Sequence, residues 1–248
     1  MRVLAYVLVC VFSAGAAMPA RAALQSQLET LQLEGRPQPL LIAQDDSAPV
    51  TRVLLYLAGG DGRVDLSAPL SAAPAPDSLR ALWVRLGTAL VVVDAPDGLS
   101  LAERESPAHR AQLQALVAAL APRFPGARFV ALGVSNGAVS AAVAGSLPEV
   151  ESVVMLGGVF RRYSDLAAFG VRGPLLLIHH EADRCVPPEF DESFRLFVKP
   201  VIVRRAGQVY GEAPCGAASA HVFAGQRDRV AAAVHEWLAT GRAPARLP

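Results

Sequence analysis

Short apolar runs alternate with longer amphipathic segments along most of this chain. Leu28 to Leu33 and Leu40 to Ala43, separated by Gly35-Arg36-Pro37, predict an antiparallel hairpin at the edge of a sheet. Six further runs follow: Val53 to Ala58, Leu90 to Val93, Phe129 to Leu132, Val153 to Leu156, Leu175 to Ile178 and Val201 to Val203. Their length and their leucine and β-branched content suit strands buried on both faces.

Helical period fills the intervals. Leu79, Leu82, Val84 and Leu86 follow Asp77 and Ser78, either of which is a cap by residue type. Ser106-Pro107 supplies a cap and a first-turn proline, after which Leu113, Leu116, Val117 and Leu120 share one face. Val230, Val234 and Trp237 stripe a last helix that ends near Gly241. This alternation predicts one α/β domain over residues 23–248, a mostly parallel central sheet with helices on both faces. The Pro/Ala-rich stretch Ser71 to Pro76 is too short to be an interdomain linker.

The first residues follow a different rule. One charge at Arg2, an apolar stretch to Met18 and the ending Ala20-Arg21-Ala22 have the three parts of a secretory signal, with cleavage expected after Ala22. The apolar run is shorter than the roughly 20 residues of a bilayer span, so no membrane span is expected in the mature chain. An exported protein, periplasmic or extracellular, is implied. Loss of residues 1–22 removes Cys10 and leaves Cys185 and Cys215, a candidate disulfide in an oxidising compartment. Lys and Arg number 23 against 22 Asp and Glu, and this balance gives no footing for nucleic acid or anionic lipid as a partner. Oligomeric state leaves no mark in the sequence.

The chemistry is concentrated late in the chain. Gly133-Val134-Ser135-Asn136-Gly137 matches G-x-S-x-G, and its setting gives the match weight. A strand ending at Leu132 precedes it, and the small-residue segment Ala138 to Ala144 follows. Strand, sharp turn and helix are what hold a serine strained with its hydroxyl above a sheet.

On these residues the chain resembles the α/β-hydrolase superfamily, from about Leu28 to the C-terminus. Members carry nucleophile, acid and histidine in that order, each after a later strand. Here His179-His180-Glu181-Ala182-Asp183-Arg184-Cys185-Val186-Pro187 is similar to the family's H-G-x-x-D-x-x-V-P loop. The resemblance puts Asp183 at the acid position and an extra imidazole, His180, where glycine is usual. Glu181 is the main substitute for Asp183, and Asp94 a rival acid in a minority of arrangements. His221, before the final helix, stands at the histidine position. The serine hydroxyl needs the base, and the base needs a carboxylate to fix its tautomer. An oxyanion hole would draw one amide from Asn136 and another from Ala58-Gly59-Gly60-Asp61-Gly62: that of Gly60, with Gly59 or Asp61 close behind. The Gly-Gly-Asp-Gly wording and the two late cysteines are also similar to exported bacterial hydrolases.

The other histidines fit less well. His109 and His235 fall within helices, and a metal site on His179 and His180 is disfavoured because neighbours on a strand point to opposite faces. Hydrolysis of a small-molecule ester, thioester or small amide through an acyl-enzyme is therefore expected, without metal or organic cofactor. Acyl transfer on the same residues and a non-catalytic binding protein remain as alternatives. Only a short segment, including Phe160, Arg161, Arg162 and Tyr163, separates Gly157 from Pro174, so no large lid domain is expected, and the arginines read as a solvated face.

Overall fold

A computed structural model describes residues 24–64, 66 and 76–248, without the side chains of residues 76–78. The expected leader, residues 1–22, and all of Ser71 to Pro76 except the Pro76 backbone lie outside the described residues. Nine strands form one sheet in the order β1-β2-β4-β3-β5-β6-β7-β8-β9. The antiparallel hairpin of β1 (Leu24–Leu33) and β2 (Arg36–Asp45) makes one edge. β2 joins β4 (Thr88–Val93) antiparallel. From there β3 (Arg52–Leu57), β5 (Arg128–Val134), β6 (Val150–Leu156), β7 (Leu175–His180), β8 (Val201–Val203) and β9 (Arg246–Leu247) run parallel.

The hairpin turns one residue earlier than Gly35-Arg36-Pro37 suggests. Glu34 and Gly35 are both left-handed, at φ 51° and 79°, and Arg36 already pairs with Leu33. Two consecutive left-handed residues give the turn whose twist matches that of the flanking strands. Both strands also outrun their apolar cores, because backbone pairing continues where side chains face water.

The central strands are buried on both sides, which explains their unbroken apolar runs. Val53, Leu54 and Leu55 are all fully buried, yet Leu54 faces one layer while Val53 and Leu55 face the other. The first layer holds α1 (Pro76–Trp83) and α7 (Arg227–Thr240), and the second α3 (Pro107–Leu120) and α4 (Gly137–Ala144). Each wholly buried leucine contributes about 1.5–3 kcal/mol relative to exposure.

Ser106 caps α3 by accepting from the His109 amide at 3.1 Å, and Leu113, Leu116, Val117 and Leu120 are buried as their spacing predicts. Val230, Val234 and Trp237 are likewise buried on α7, which ends at Gly241 with φ 71°. α1 departs from expectation: it begins at Pro76, so Asp77 and Ser78 lie within it rather than capping it. It ends at Trp83, leaving Leu86 69% exposed ahead of the Gly87 turn. Proline fits the first helical turn, where its missing N–H is not needed.

Three short helices carry too few turns to leave a periodic signal: α2 (Leu101–Arg104), α5 (Tyr163–Ala167) and α6 (Glu192–Phe197). α5 is the one helix between β6 and β7, so no large lid enters there. Among the described residues no helix is long and apolar enough to cross a membrane.

Candidate active site

Ser135 follows β5 directly and has φ 53°, a left-handed conformation that costs a non-glycine residue of order 1–3 kcal/mol. Its surroundings hold it there. The Ser135 amide donates to the Leu156 carbonyl at 2.9 Å. A Cβ on Gly133 would lie 2.3 Å from the Gly137 carbonyl oxygen, and one on Gly137 would lie 2.1 Å from that of Leu57. The glycines of the motif are thus demanded by close backbone approach. α4, every residue of which is buried, packs tightly behind the turn.

Asp183 and His221 meet across 38 residues of sequence. His221 Nδ1 lies 2.7 Å from Asp183 Oδ2, while Oδ1 accepts from the Cys185 and Val186 amides at 2.9 and 3.0 Å. Burial, the largest influence, pushes the Asp183 carboxyl up, but hydrogen bonds from His179, His221 and the Val186 amide together hold it well below the usual carboxylate range. His221 sits on a single 3-10 turn, Ala220–Val222, with its ring against Gly157. A Cβ there would approach Nδ1 and Cε1 to 3.2 Å. With Nδ1 turned to a carboxylate, Nε2 is the free edge of the ring: it is buried and has no partner among the described residues. Ser135, Gly157 and His221 thus gather at the carboxyl end of the sheet.

The rival acids are engaged elsewhere. Glu181 accepts from Arg204 Nη1 at 3.0 Å and the Arg205 amide at 2.7 Å, and Asp94 accepts from the Val64 amide at 2.7 Å. Cys185 and Cys215 are joined in a disulfide, with Cα atoms 4.9 Å apart. It links the loop of Asp183 to the segment leading to His221.

β7 runs two residues beyond Ile178, so both His179 and His180 are strand residues, fully buried and on opposite faces. His179 is the one at the acid: its Nε2 lies 2.6 Å from the Val186 carbonyl and 3.3 Å from Asp183 Oδ2. Two acceptors place the proton on Nε2. His180, the residue that replaces the usual glycine, faces the other way. Its Nδ1 accepts from the Ala182 amide at 2.9 Å, while Nε2 lies 3.0 Å from Gln226 Oε1 and 2.7 Å from the Tyr210 hydroxyl. The extra imidazole expected at the site is therefore a structural one. Extending the apolar run through both histidines would have revealed their alternation.

The glycine loop after β3 packs directly on the serine turn. A Cβ on Gly59 would stand 2.8 Å from the Val134 carbonyl oxygen and 3.0 Å from Ser135 Cβ. Gly60 is left-handed at φ 58°, and its carbonyl accepts from Asn136 Nδ2 at 3.1 Å. The amides of Gly59, Gly60 and Asn136 donate no hydrogen bond among the described residues. Beneath this loop lies Arg104, 2% exposed, which the sequence reading does not single out.

An apolar pocket of about 250 Å³ borders the site, walled by Val134 and Val222, the neighbours of Ser135 and His221, with Leu156, Trp83 and Phe223. Burial pushes the Tyr56 hydroxyl in its wall up to about 12, so that group stays protonated. Arg161 is not on a solvated face: its Nη1 donates to the Gly158 and Phe160 carbonyls at 3.0 and 2.8 Å, and its guanidinium lies over Phe190. Arg162 is exposed and pairs with Asp165.

No protein-family model and no curated protein sequence matches the chain significantly. Solved structures do. A dienelactone hydrolase from Anabaena variabilis superposes with a TM-score of 0.60 at 16% identity, covering 87% of this chain and 97% of that one. An esterase from an Arctic intertidal metagenomic library gives 0.54 at 14% identity, with 89% and 99% covered. An alpha-beta serine hydrolase homologue from Coxiella burnetii gives 0.57 at 14% identity, with 83% and 94% covered. Likeness over nearly the full length of several such proteins, together with the mostly parallel nine-stranded sheet, establishes that this chain has the α/β-hydrolase fold.

Proposed function

We propose that the protein is a serine hydrolase that cleaves a small carboxylic ester, thioester or amide through an acyl-enzyme. Ser135 is the nucleophile, His221 the general base and Asp183 the carboxylate that orients it. The observation that carries this reading is the Asp183–His221 hydrogen bond at 2.7 Å, which leaves His221 Nε2 unpartnered at the sheet end where Ser135 is held left-handed. His221 Nε2 takes the Ser135 proton as Oγ attacks the substrate carbonyl carbon. The resulting oxyanion is received by the Asn136 amide and one from the glycine loop, Gly60 or Gly59. The imidazolium returns its proton to the leaving group, and a water activated the same way then releases the acid and regenerates Ser135.

The esterases among the solved structures of this fold favour an ester substrate. The apolar pocket beside Val134 would take the apolar part of that ester. The Cys185–Cys215 bridge and the signal-like residues 1–22 together support export to an oxidising compartment. Labelling with a fluorophosphonate tests the nucleophile: the native protein should label, Ser135→Ala should not, and labelling that survives the substitution overturns the reading.

A further inference from the structure

Arg104, the last residue of α2, is among the largest fully buried side chains of the protein. Among the described residues no carboxylate lies within salt-bridge distance of it. Asp61, whose charge acts on the guanidinium from a distance, pairs with Arg63 at 3.3 Å, and Glu103 closes the capping box with Ser100. The guanidinium faces neutral acceptors instead. Nη2 donates to the Ala58 carbonyl at 3.2 Å and approaches that of Gly60 at 3.4 Å, while Nη1 donates to Ser140 Oγ at 2.8 Å. Its Nε has no partner. Ser140 also contacts His109 Nε2 at 2.9 Å, and burial, opposed by Gln112 and aided by the Arg104 charge, lowers that imidazole to about 4. His109 is therefore neutral at neutral pH and adds no second cation.

A buried cation without a carboxylate is a poor stabilising device, since an apolar residue of similar volume often serves as well or better. Its contacts indicate a different use. Ala58 and Gly60 belong to the glycine loop and Ser140 to the helix that follows Ser135, so one rigid planar fork joins the two elements that carry the proposed oxyanion donors. In a trans peptide the N–H lies opposite the C=O. Drawing the Ala58 carbonyl down to the guanidinium therefore turns the Gly59 N–H away from it, and polarising that carbonyl makes the same N–H a stronger donor. Asn136 Nδ2 ties the Gly60 carbonyl to the serine turn independently.

We propose that Arg104 is a positioning residue for oxyanion stabilisation: from beneath the loop it fixes and polarises the Ala58–Gly59 and Gly60–Asp61 peptide groups relative to Ser135, which orients the Gly59 amide. The inference rests on the reading of Ser135 as nucleophile. It does not touch substrate, so its loss should appear in the transition state alone.

The test compares wild type, Arg104→Met and Arg104→Lys on a chromogenic short-chain ester and with a boronic acid that forms a tetrahedral adduct on Ser135. Arg104→Met removes the charge at similar length. Arg104→Lys keeps the charge but cannot reach two carbonyls and Ser140 with one planar group. The expected result is a kcat lower by roughly 10- to 100-fold in both, KM within about twofold, and boronate affinity reduced by the same factor as kcat. The melting temperature of Arg104→Met should be held or raised. Wild-type kcat in either folded variant, or a raised KM with kcat retained, overturns the proposal. Should Arg104→Met fail to fold, Arg104→Lys decides by the same criteria. Fluorophosphonate labelling of Ser135→Ala run alongside separates the two failures, because labelling there removes the nucleophile reading itself.

Discussion

The two halves of the candidate site are held by opposite means. On the proposed acid–base side a buried carboxylate, Asp183, is surrounded by donors: two imidazoles and two backbone amides, with the Cys185–Cys215 bridge fastening its loop. On the proposed oxyanion side a buried cation, Arg104, is surrounded by acceptors, and no disulfide ties the loop it holds. A carboxylate saturated with donors is fixed in charge and orientation at once. A guanidinium facing carbonyls fixes orientation without a carboxylate bonded to it, Asp61 acting on it only at a distance, and its charge polarises the peptide groups it touches. The first half resembles a clamp and the second a support from beneath, so they should fail differently.

The largest effects should come from the clamp. Asp183→Asn, which keeps the shape but removes the charge that selects the His221 tautomer, should lower kcat by about 10⁴-fold in a steady-state ester assay. Asp94→Asn and Glu181→Gln should each stay within a few-fold of wild type. If Asp94→Asn were the damaging change, the acid–base half is wrongly drawn. His221→Ala combined with Ser135→Ala should be little worse than either alone, because in the proposed mechanism the two act as a unit.

Next in size is the support. Gly59→Ala pushes a methyl group to within 3.0 Å of Ser135 Cβ and 2.8 Å of the Val134 carbonyl, so loop and serine turn must separate. The expected loss is roughly 10²- to 10³-fold in kcat, the scale of one oxyanion donor. Gly126→Ala, at a left-handed turn with open space around it, serves as the control and should lose stability but not kcat.

Opening the disulfide addresses stability before rate. The bridge closes residues separated by 30 positions, for which chain entropy gives about 3–4 kcal/mol. Cys185→Ser should therefore lower the melting temperature by roughly 10 °C at this chain length, with a smaller drop in activity measured well below it. An unchanged melting temperature would show that the clamp does not depend on the bridge.

The smallest effect is a graded loss of stability in acid, to which the halves contribute in different ranges. His109, beside Arg104 through Ser140, is lowered to about 4 in the folded protein, so the unfolded chain binds its proton first. That contribution to stability is complete above the ordinary imidazole range near 6.5 and declines as pH falls from there to about 4. Burial lowers His180 and His235 as well, adding losses of the same sign. The Asp183 contribution persists to lower pH and is lost only as pH falls below the ordinary aspartate value. Denaturant melts of His109→Gln should show a shallower decline between pH 6.5 and 4 and an unchanged decline below it.

Some of this architecture is written locally. The strands, α3, α7 and the turn at Ser135 follow from apolar period, cap residues and paired glycines, all of which act over a few neighbouring positions. β9 and the three short helices escape such a reading because two to six residues cannot display a period. The ends of strands escape it too: His179 and His180 look like the start of a polar loop, yet the pleat continues through them and sends each to a different face.

By itself, then, the sequence determined the alternation of strand and helix, the conformation required at Ser135, and a set of candidate acids and histidines. Which of those side chains meet was decided only by the tertiary structure. Asp183 reaches His221 across 38 positions, and Arg104 reaches Ala58 across 46. Such contacts depend on the order in which strands enter the sheet and on how deeply each helix packs. Nothing in the residues around Arg104 marks it as buried, since it closes a one-turn helix with an exposed leucine at its start. A charged side chain on a surface turn and one enclosed beneath a glycine loop have the same local sequence. Only the packing of α2 against the loop and α4 removes the water that distinguishes them.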